Sequence, residues 1–75
     1  MIKEYDLVKT LVEKCGYPKG TKGVIVGIYK RGEACNVELW NKNNYPMDVI
    51  TYTTNEIEII NEIIDSIHLY WGALN

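Results

Sequence analysis

The feature that most constrains this fold is the division of its apolar residues into short runs between Tyr5 and Ile60. Each run is followed by a segment rich in glycine, asparagine or charged residues. Short apolar runs bounded by turn-forming residues are typical of β-strands. The pattern therefore predicts five strands, over residues 5–12, 24–30, 34–40, 47–53 and 56–60.

The connections between these runs indicate how the strands are arranged. Residues 13–23 contain three glycines and one proline, which predicts a long irregular first loop. The shorter segments 31–33, 41–44 and 54–55 predict tight turns between the later strands. A long first loop followed by short hairpins is the pattern of a five-stranded SH3-like barrel, in which closure protects the strand edges.

Alternation along the strands predicts which side chains form the core and which face solvent. The predicted inward set is Cys35, Val37, Leu39, Ile57 and Ile59. The predicted outward set is Asn36, Glu38, Trp40, Glu56 and Glu58.

The last fifteen residues change to a helical period. Apolar residues recur three and four positions apart, which predicts an amphipathic α-helix over residues 62–71. Its apolar stripe would consist of Ile60, Ile63, Ile64, Ile67, Trp71 and Leu74. Leu69 falls almost opposite this stripe, which is unexpected in a soluble monomer.

Length and composition favour one domain over residues 1–75, with the barrel at 5–60 and the helix at 62–71. The first residues lack the apolar core of a signal peptide, and no apolar run approaches the roughly 20 residues that span a bilayer. We therefore expect a cytoplasmic protein. Two cysteines are too few for a typical small secreted scaffold, so both thiols are expected to be reduced.

A family resemblance is carried by three segments, Tyr5-Asp6-Leu7-Val8, residues 18–26 and residues 36–40. The most specific piece is the Lys-Gly-x-x-Gly-Val step from Lys19 to Val24, followed by Val37-Glu38. These segments resemble small bacterial SH3-like barrel proteins of unknown function, similar to the barrel of the nitrile hydratase β subunit. The resemblance implies a barrel, and an immunity or antitoxin role beside a bacterial toxin. The predicted C-terminal helix departs from that family pattern.

Catalytic and metal chemistry lack the residues they need. The single histidine, His68, has only Cys15 or Cys35 as a candidate nucleophile and no orienting partner. A metal site needs three or four ligands at paired spacing, which this chain lacks. We therefore expect no enzyme activity, no metal and no cofactor.

The distribution of charge favours a protein-binding role. Residues 56–75 contain four acidic side chains and no basic one, a surface suited to a basic partner such as a nuclease toxin. Aromatic and leucine side chains, among them Tyr52, would act as apolar anchors. The predicted partner-binding set is Glu56, Glu58, Glu62, Asp65, Trp40, Leu69 and Tyr70. A homodimer could use the same apolar surface.

Three alternatives remain open from the residues. A nucleic-acid module would use the loop cations with Tyr17 and Tyr45, because residues 1–55 hold eight basic and six acidic side chains. Those cations are Lys14, Lys19, Lys22, Lys30, Arg31 and Lys42. An accessory domain of an enzyme complex follows by analogy of fold alone. A groove for proline-rich peptides would need acidic residues in the first loop, where only Glu13 occurs.

Overall fold

The computed structural model describes residues 1–60, which form one antiparallel five-stranded sheet. Its strands are β1 (Leu7–Thr10), β2 (Lys22–Tyr29), β3 (Ala34–Trp40), β4 (Pro46–Thr53) and β5 (Ile57–Ile59). Short 3-10 turns at Lys30–Gly32 and Thr54–Glu56 connect β2 to β3 and β4 to β5. The prediction of a mainly β domain with five strands is confirmed. The predicted helix over 62–71 lies outside the described residues.

The strands lie in the order β4-β3-β2-β1-β5, and each neighbouring pair is antiparallel. β4 and β5 are therefore the two outer strands, and within residues 1–60 no ladder joins them. The register shifts between Ile25 and Gly27 of β2, and again where Leu39 and Trp40 of β3 pair with β4. The second shift lies at the site described below. Within residues 1–60, no helix has the length and apolar character needed to cross a bilayer.

β1 is shorter than the predicted strand over 5–12. Tyr5 has a φ of 72°, and its N–H donates to the Ile25 carbonyl at 2.7 Å, so the chain turns before the strand begins. At the other end, the N–H of Leu11 donates to the Glu56 carbonyl at 2.8 Å. The apolar pattern continues through both points, which is why alternation alone overestimates the length of this strand.

A single core lies on one face of the sheet and receives side chains from all five strands. Its members are Val8, Ile25, Cys35, Val37, Leu39, Tyr52 and Ile57. The predicted alternation in β3 is confirmed, because its three inward residues are fully buried. Ile59 pairs with Val8 and so faces the same side, yet it is 45% exposed because it lies on an outer strand.

Gly23 is the most crowded of the glycines within residues 1–60. It pairs with Val8 of β1 on one side and with Leu39 of β3 on the other. A Cβ atom there would lie 2.5 Å from the Glu38 carbonyl oxygen and 2.7 Å from Val37 Cγ1. Glycine is therefore required for the close approach of β2 and β3, whereas the sequence indicates only a loop residue.

Candidate binding groove

An open groove lies between the β1–β2 loop, residues 11–21, and the β3–β4 turn, residues 41–45. Its volume is about 540 Å³. Aromatic, apolar and basic side chains line it, whereas no carboxylate among the described residues does. The lining residues are Tyr17, Pro18, Lys19, Gly20, Thr21, Lys22, Trp40, Asn41, Lys42, Asn44 and Met47.

Two threonines fix the loop wall of the groove. Thr10 is 1% exposed, and its hydroxyl donates to the Pro18 carbonyl at 3.2 Å while accepting from the Thr21 N–H at 3.1 Å. The Thr21 hydroxyl donates to the same carbonyl at 2.6 Å. The Gly20 N–H also donates to the Thr10 carbonyl at 2.7 Å. These bonds hold the segment carrying Tyr17 and Lys19 against the end of β1 and β2.

A tight turn within the loop sets the position of Tyr17. Lys14 and Tyr17 exchange two backbone hydrogen bonds of 2.9 and 3.0 Å. The two residues between them, Cys15 and Gly16, have φ values of 52° and 85°. Positive φ at both central positions is the geometry of a two-residue hairpin turn, which glycine tolerates without strain. Tyr17 therefore leaves a short, defined hairpin rather than a flexible loop.

Asn41 fixes the opposite wall. Its side-chain oxygen accepts hydrogen bonds from the N–H groups of Asn43 at 2.8 Å and Tyr45 at 3.1 Å. Its backbone N–H donates to the Tyr45 carbonyl at 2.9 Å. An asparagine that bonds to the following backbone in this way closes a turn through its own side chain. Lys42 is thereby presented on an ordered turn.

Trp40 lies at the end of β3, where its indole Nε1 donates to Glu38 Oε1 at 3.0 Å. The register shift against β4 occurs at this residue, which pairs with Pro46 while Leu39 pairs with Asp48. The extra residue of this bulge is Met47 on β4, opposite Trp40, and such bulges are common next to binding sites. The indole is half-buried and lines the groove with its N–H already bonded.

Tyr17 remains a neutral phenol under ordinary conditions. Partial burial and the nearby Asp48 carboxylate raise the pKa of its hydroxyl. The groove therefore offers a neutral aromatic ring on one wall and a fixed indole on the other.

The structure separates the six loop cations into different places. Lys19, Lys22 and Lys42 line the groove, and within residues 1–60 neither Lys19 nor Lys42 forms an ion pair. Lys14 instead bonds to Glu56 at 3.2 Å and lies 5.1 Å from the centre of the Tyr52 ring. The remaining two, Lys30 and Arg31, lie in the β2–β3 turn.

The predicted partner-binding set is only partly within the described residues. Glu58 is exposed and forms an ion pair with Lys9 at 3.6 Å. Glu56 accepts from Lys14 and from the Thr53 N–H, the latter at 2.8 Å. Trp40 lies on β3, and two strands, β2 and β1, lie between β3 and β5 in the sheet. Trp40 is therefore not on the sheet edge near Glu56 and Glu58. Four further members, Glu62, Asp65, Leu69 and Tyr70, lie outside the described residues.

The ionisation of Glu56 reflects its structural contacts. The Thr53 N–H is the main cause of a lowered pKa for this carboxyl, and Lys14 adds to the effect against a smaller opposing contribution from burial. Glu56 thus connects the β4–β5 turn to the β1–β2 loop. Within residues 1–60, the Glu56 carboxylate is therefore used in contacts inside the protein.

Tyr52 is wholly buried, so its predicted role as an exposed anchor is wrong. It pairs across the sheet with Cys35, and its hydroxyl has no hydrogen-bond partner within residues 1–60. Both cysteines are free thiols, Cys15 exposed and Cys35 buried, and burial raises the pKa of Cys35. Among residues 1–60, no three His, Cys, Asp or Glu side chains lie together as a metal site would require.

Sequence reasoning identified Tyr17 and the lysines as candidates but missed the groove that brings them together with Trp40. It also missed Thr10, Thr21 and Asn41, which hold the walls. Asn41 at the head of a turn is the one local signal that could have been used. Tyr45, the other predicted aromatic, is 66% exposed and does not line the groove. Comparison of the chain with protein-family models, curated proteins and solved structures finds no match.

Proposed function

We propose that this protein is a non-enzymatic binding module that takes a nucleic acid in the groove between the β1–β2 loop and the β3–β4 turn. The observation that carries the proposal is the lining of that groove. Three lysines and two aromatic side chains line it, without a carboxylate among the described residues. A basic groove with aromatic surfaces fits both the phosphates and the bases of a nucleic acid.

An acidic peptide would satisfy the same lysines, and this is the main competing ligand. Carboxylates need no aromatic surface, whereas bases do. Tyr17 and Trp40 on opposite walls therefore favour a nucleic acid. A proline-rich peptide would use the aromatic residues but leave Lys19 and Lys42, which form no ion pair within residues 1–60, without a counter-charge.

The test is a titration of fluorescein-labelled 12-nucleotide RNA and DNA at several salt concentrations. Each phosphate contact on a single strand gives a slope of about −0.7 in log K against log salt, so three lysines predict a slope of about −2. The double variant Lys19→Glu with Lys42→Glu should reduce that slope by at least about 1. An acidic peptide of equal charge serves as a competitor.

The matched control is the double variant Lys3→Glu with Lys30→Glu, which changes the net charge equally away from the groove. It should retain most of the affinity. Equal loss in both double variants would contradict a defined site, and displacement by the acidic peptide at equal concentration would favour a protein ligand instead.

Toxin neutralisation is the second function we propose, at the outer strand β5. The observation that favours it is that the outer strand β5 exposes both an isoleucine, Ile59, and a carboxylate, Glu58, which alternate to opposite faces of the strand. Acidic surfaces with apolar anchors associate rapidly with basic partners. Substitution of Glu58 and Glu62 by lysine should slow association with the product of the adjacent gene and make it less salt-dependent. Unchanged association would exclude this surface.

We also infer that the sheet closes as an SH3-like barrel. Side chains from all five strands enter one core, and only the short turn Thr54–Glu56 separates the outer strands β4 and β5. Backbone nuclear Overhauser contacts between these strands would test closure. A reducing cytoplasm is the compartment we propose, since an exposed free thiol such as Cys15 persists best there.

A further inference from the structure

Trp40 offers a ligand its ring face rather than a hydrogen-bond donor. Glu38 and Trp40 are two residues apart on β3, so their side chains share one face of the sheet. The 3.0 Å bond from indole Nε1 to Glu38 Oε1 uses the only donor of the ring. What remains toward the groove is a flat aromatic surface in a defined orientation.

The lysines lie where a chain crossing that surface would carry its phosphates. Gly23 pairs with Leu39, so the preceding Lys22 lies beside Trp40 at the end of the β2–β3 ladder. Lys42 follows Trp40 by two residues on the ordered turn. Lys19 stands on the opposite wall with Tyr17. Aromatic surface and positive charge are therefore interleaved in one groove.

We propose that Trp40 is a stacking platform for an unpaired nucleobase, which makes the groove selective for single strands over duplexes, and that Glu38 is the residue that positions it. This inference rests on the proposed nucleic-acid function. The bases of a duplex are stacked on each other, so their faces are not available to a side chain. A single strand can place one base against the indole while its phosphates contact the lysines.

Stacking and phosphate binding can be separated by the choice of ligand. A 12-nucleotide strand and an abasic strand of the same length carry the same phosphates, but only the first has bases. The ratio of their affinities reports stacking alone and cancels changes in the charge of the groove. One base stacked on an aromatic side chain corresponds to a ratio of about tenfold.

The experiment uses the full chain with Trp71→Phe, so that Trp40 is the only tryptophan. Single-stranded, abasic and hairpin-duplex ligands are titrated at low salt, by tryptophan fluorescence and by anisotropy of a labelled strand. We expect the single strand to quench Trp40 and to bind about tenfold more tightly than the abasic strand. The duplex, whose bases stack on each other, should bind more weakly than the single strand, and equal or tighter duplex binding would overturn the selectivity.

Substitutions at both positions then assign the effect. Trp40→Ala should reduce the affinity ratio to about one, whereas Trp40→Phe, which keeps an aromatic face, should retain part of it. Glu38→Gln retains an acceptor for the indole N–H and should preserve the ratio. Glu38→Ala removes that acceptor and should lower the ratio, while its binding of the abasic strand should match that of Glu38→Gln, because both variants lose the same charge. Thermal unfolding of each variant verifies that it is folded.

Each outcome decides the proposal. Equal binding of single and abasic strands would overturn stacking and leave the nucleic-acid function standing. An unchanged ratio in Trp40→Ala would overturn the assignment to Trp40, and an unchanged ratio in Glu38→Ala would overturn the positioning role. Binding of neither strand would overturn this inference together with the proposed function.

Discussion

The groove and the outer strand β5 are both polar regions of one small sheet, yet different interactions hold them in place. Uncharged groups fix the groove walls, namely the hydroxyls of Thr10 and Thr21 and the amide of Asn41. The β5 region pairs with β1 and adds two ion pairs, Lys14 to Glu56 at 3.2 Å and Lys9 to Glu58 at 3.6 Å.

This difference shows where charge remains available for a ligand. The threonine and asparagine hydrogen bonds of the groove walls do not use Lys19 or Lys42, and neither lysine has an ion-pair partner within residues 1–60. At β5 both described carboxylates already have lysine partners, so a ligand there would have to compete with contacts inside the protein. The comparison also predicts that stability depends on pH through Glu56 and not through the hydroxyl and amide hydrogen bonds of the groove walls.

The largest expected effect comes from Gly23, which lies at the junction of the two regions. Gly23→Ala places a methyl group against backbone oxygen and Val37, so we expect a loss of about 2–3 kcal/mol in unfolding free energy. Urea denaturation measures it. Gly27→Ala on the same strand is the control, since its added Cβ would lie 3.2 Å from only the flexible end of Tyr29. Equal losses would contradict the crowding argument.

Thr10→Val tests the uncharged network of the groove. It removes the hydroxyl that accepts from the Thr21 N–H and donates to the Pro18 carbonyl, and leaves that N–H only the Pro18 carbonyl at 3.3 Å, so we expect a loss of about 1 kcal/mol. The loss should be the same at pH 4 and pH 8, because no titrating group takes part. Weaker nucleic-acid binding should accompany it as the loop wall loosens. A strongly pH-dependent loss would contradict this view of the groove.

Glu56→Gln tests the charged network of the β5 region. The lowered pKa of Glu56 means that its ionised form stabilises the fold above its unfolded pKa of about 4.3, and that this contribution disappears as the pH falls through the lower folded value. The variant should be less stable by up to about 1 kcal/mol at pH 7. The difference from the natural chain should shrink progressively in thermal melts as the pH falls below the unfolded pKa of about 4.3. A constant difference across that range would exclude an electrostatic origin.

The smallest effect is expected at the exposed pair Lys9–Glu58. Both side chains are about half exposed, at 45% and 55%. Such pairs contribute less than about 1 kcal/mol, so Glu58→Gln should change the melting temperature very little, and less still in 0.5 M salt. A larger loss would indicate that β5 depends on charge even at its exposed face.

The sequence predicted the strands and the core of β3 because alternation and turn residues are local signals. Cys35, Val37 and Leu39 needed only their neighbours to be placed correctly. The groove could not be predicted in the same way, because it joins Tyr17 to Trp40 across 23 positions of the chain. Its formation depends on the bulge at Trp40 and on Thr10, whose hydroxyl looks like that of any strand threonine in the sequence.

The acidic residues of segment 56–75 show a case in which a local sequence signal is clear but its role is not. Sequence counts locate four carboxylates in one segment, but they do not reveal that Glu56 bonds to Thr53 and Lys14. A charged residue in a sequence indicates a possible contact with a partner. Only its neighbours in space decide whether that charge is instead paired inside the protein. Tyr52 presents the same difficulty, because a tyrosine is equally suited to an interface and to a core, and only the structure shows that it is buried.

The two thiols differ enough for one to serve as a chemical handle. Cys15 is exposed at the tip of the small hairpin, while Cys35 is fully buried and its raised pKa disfavours the reactive thiolate. A maleimide dye should therefore attach at Cys15 alone, two residues from Tyr17, without any substitution. Ligand entry into the groove could then be followed in real time by stopped-flow fluorescence of the natural sequence.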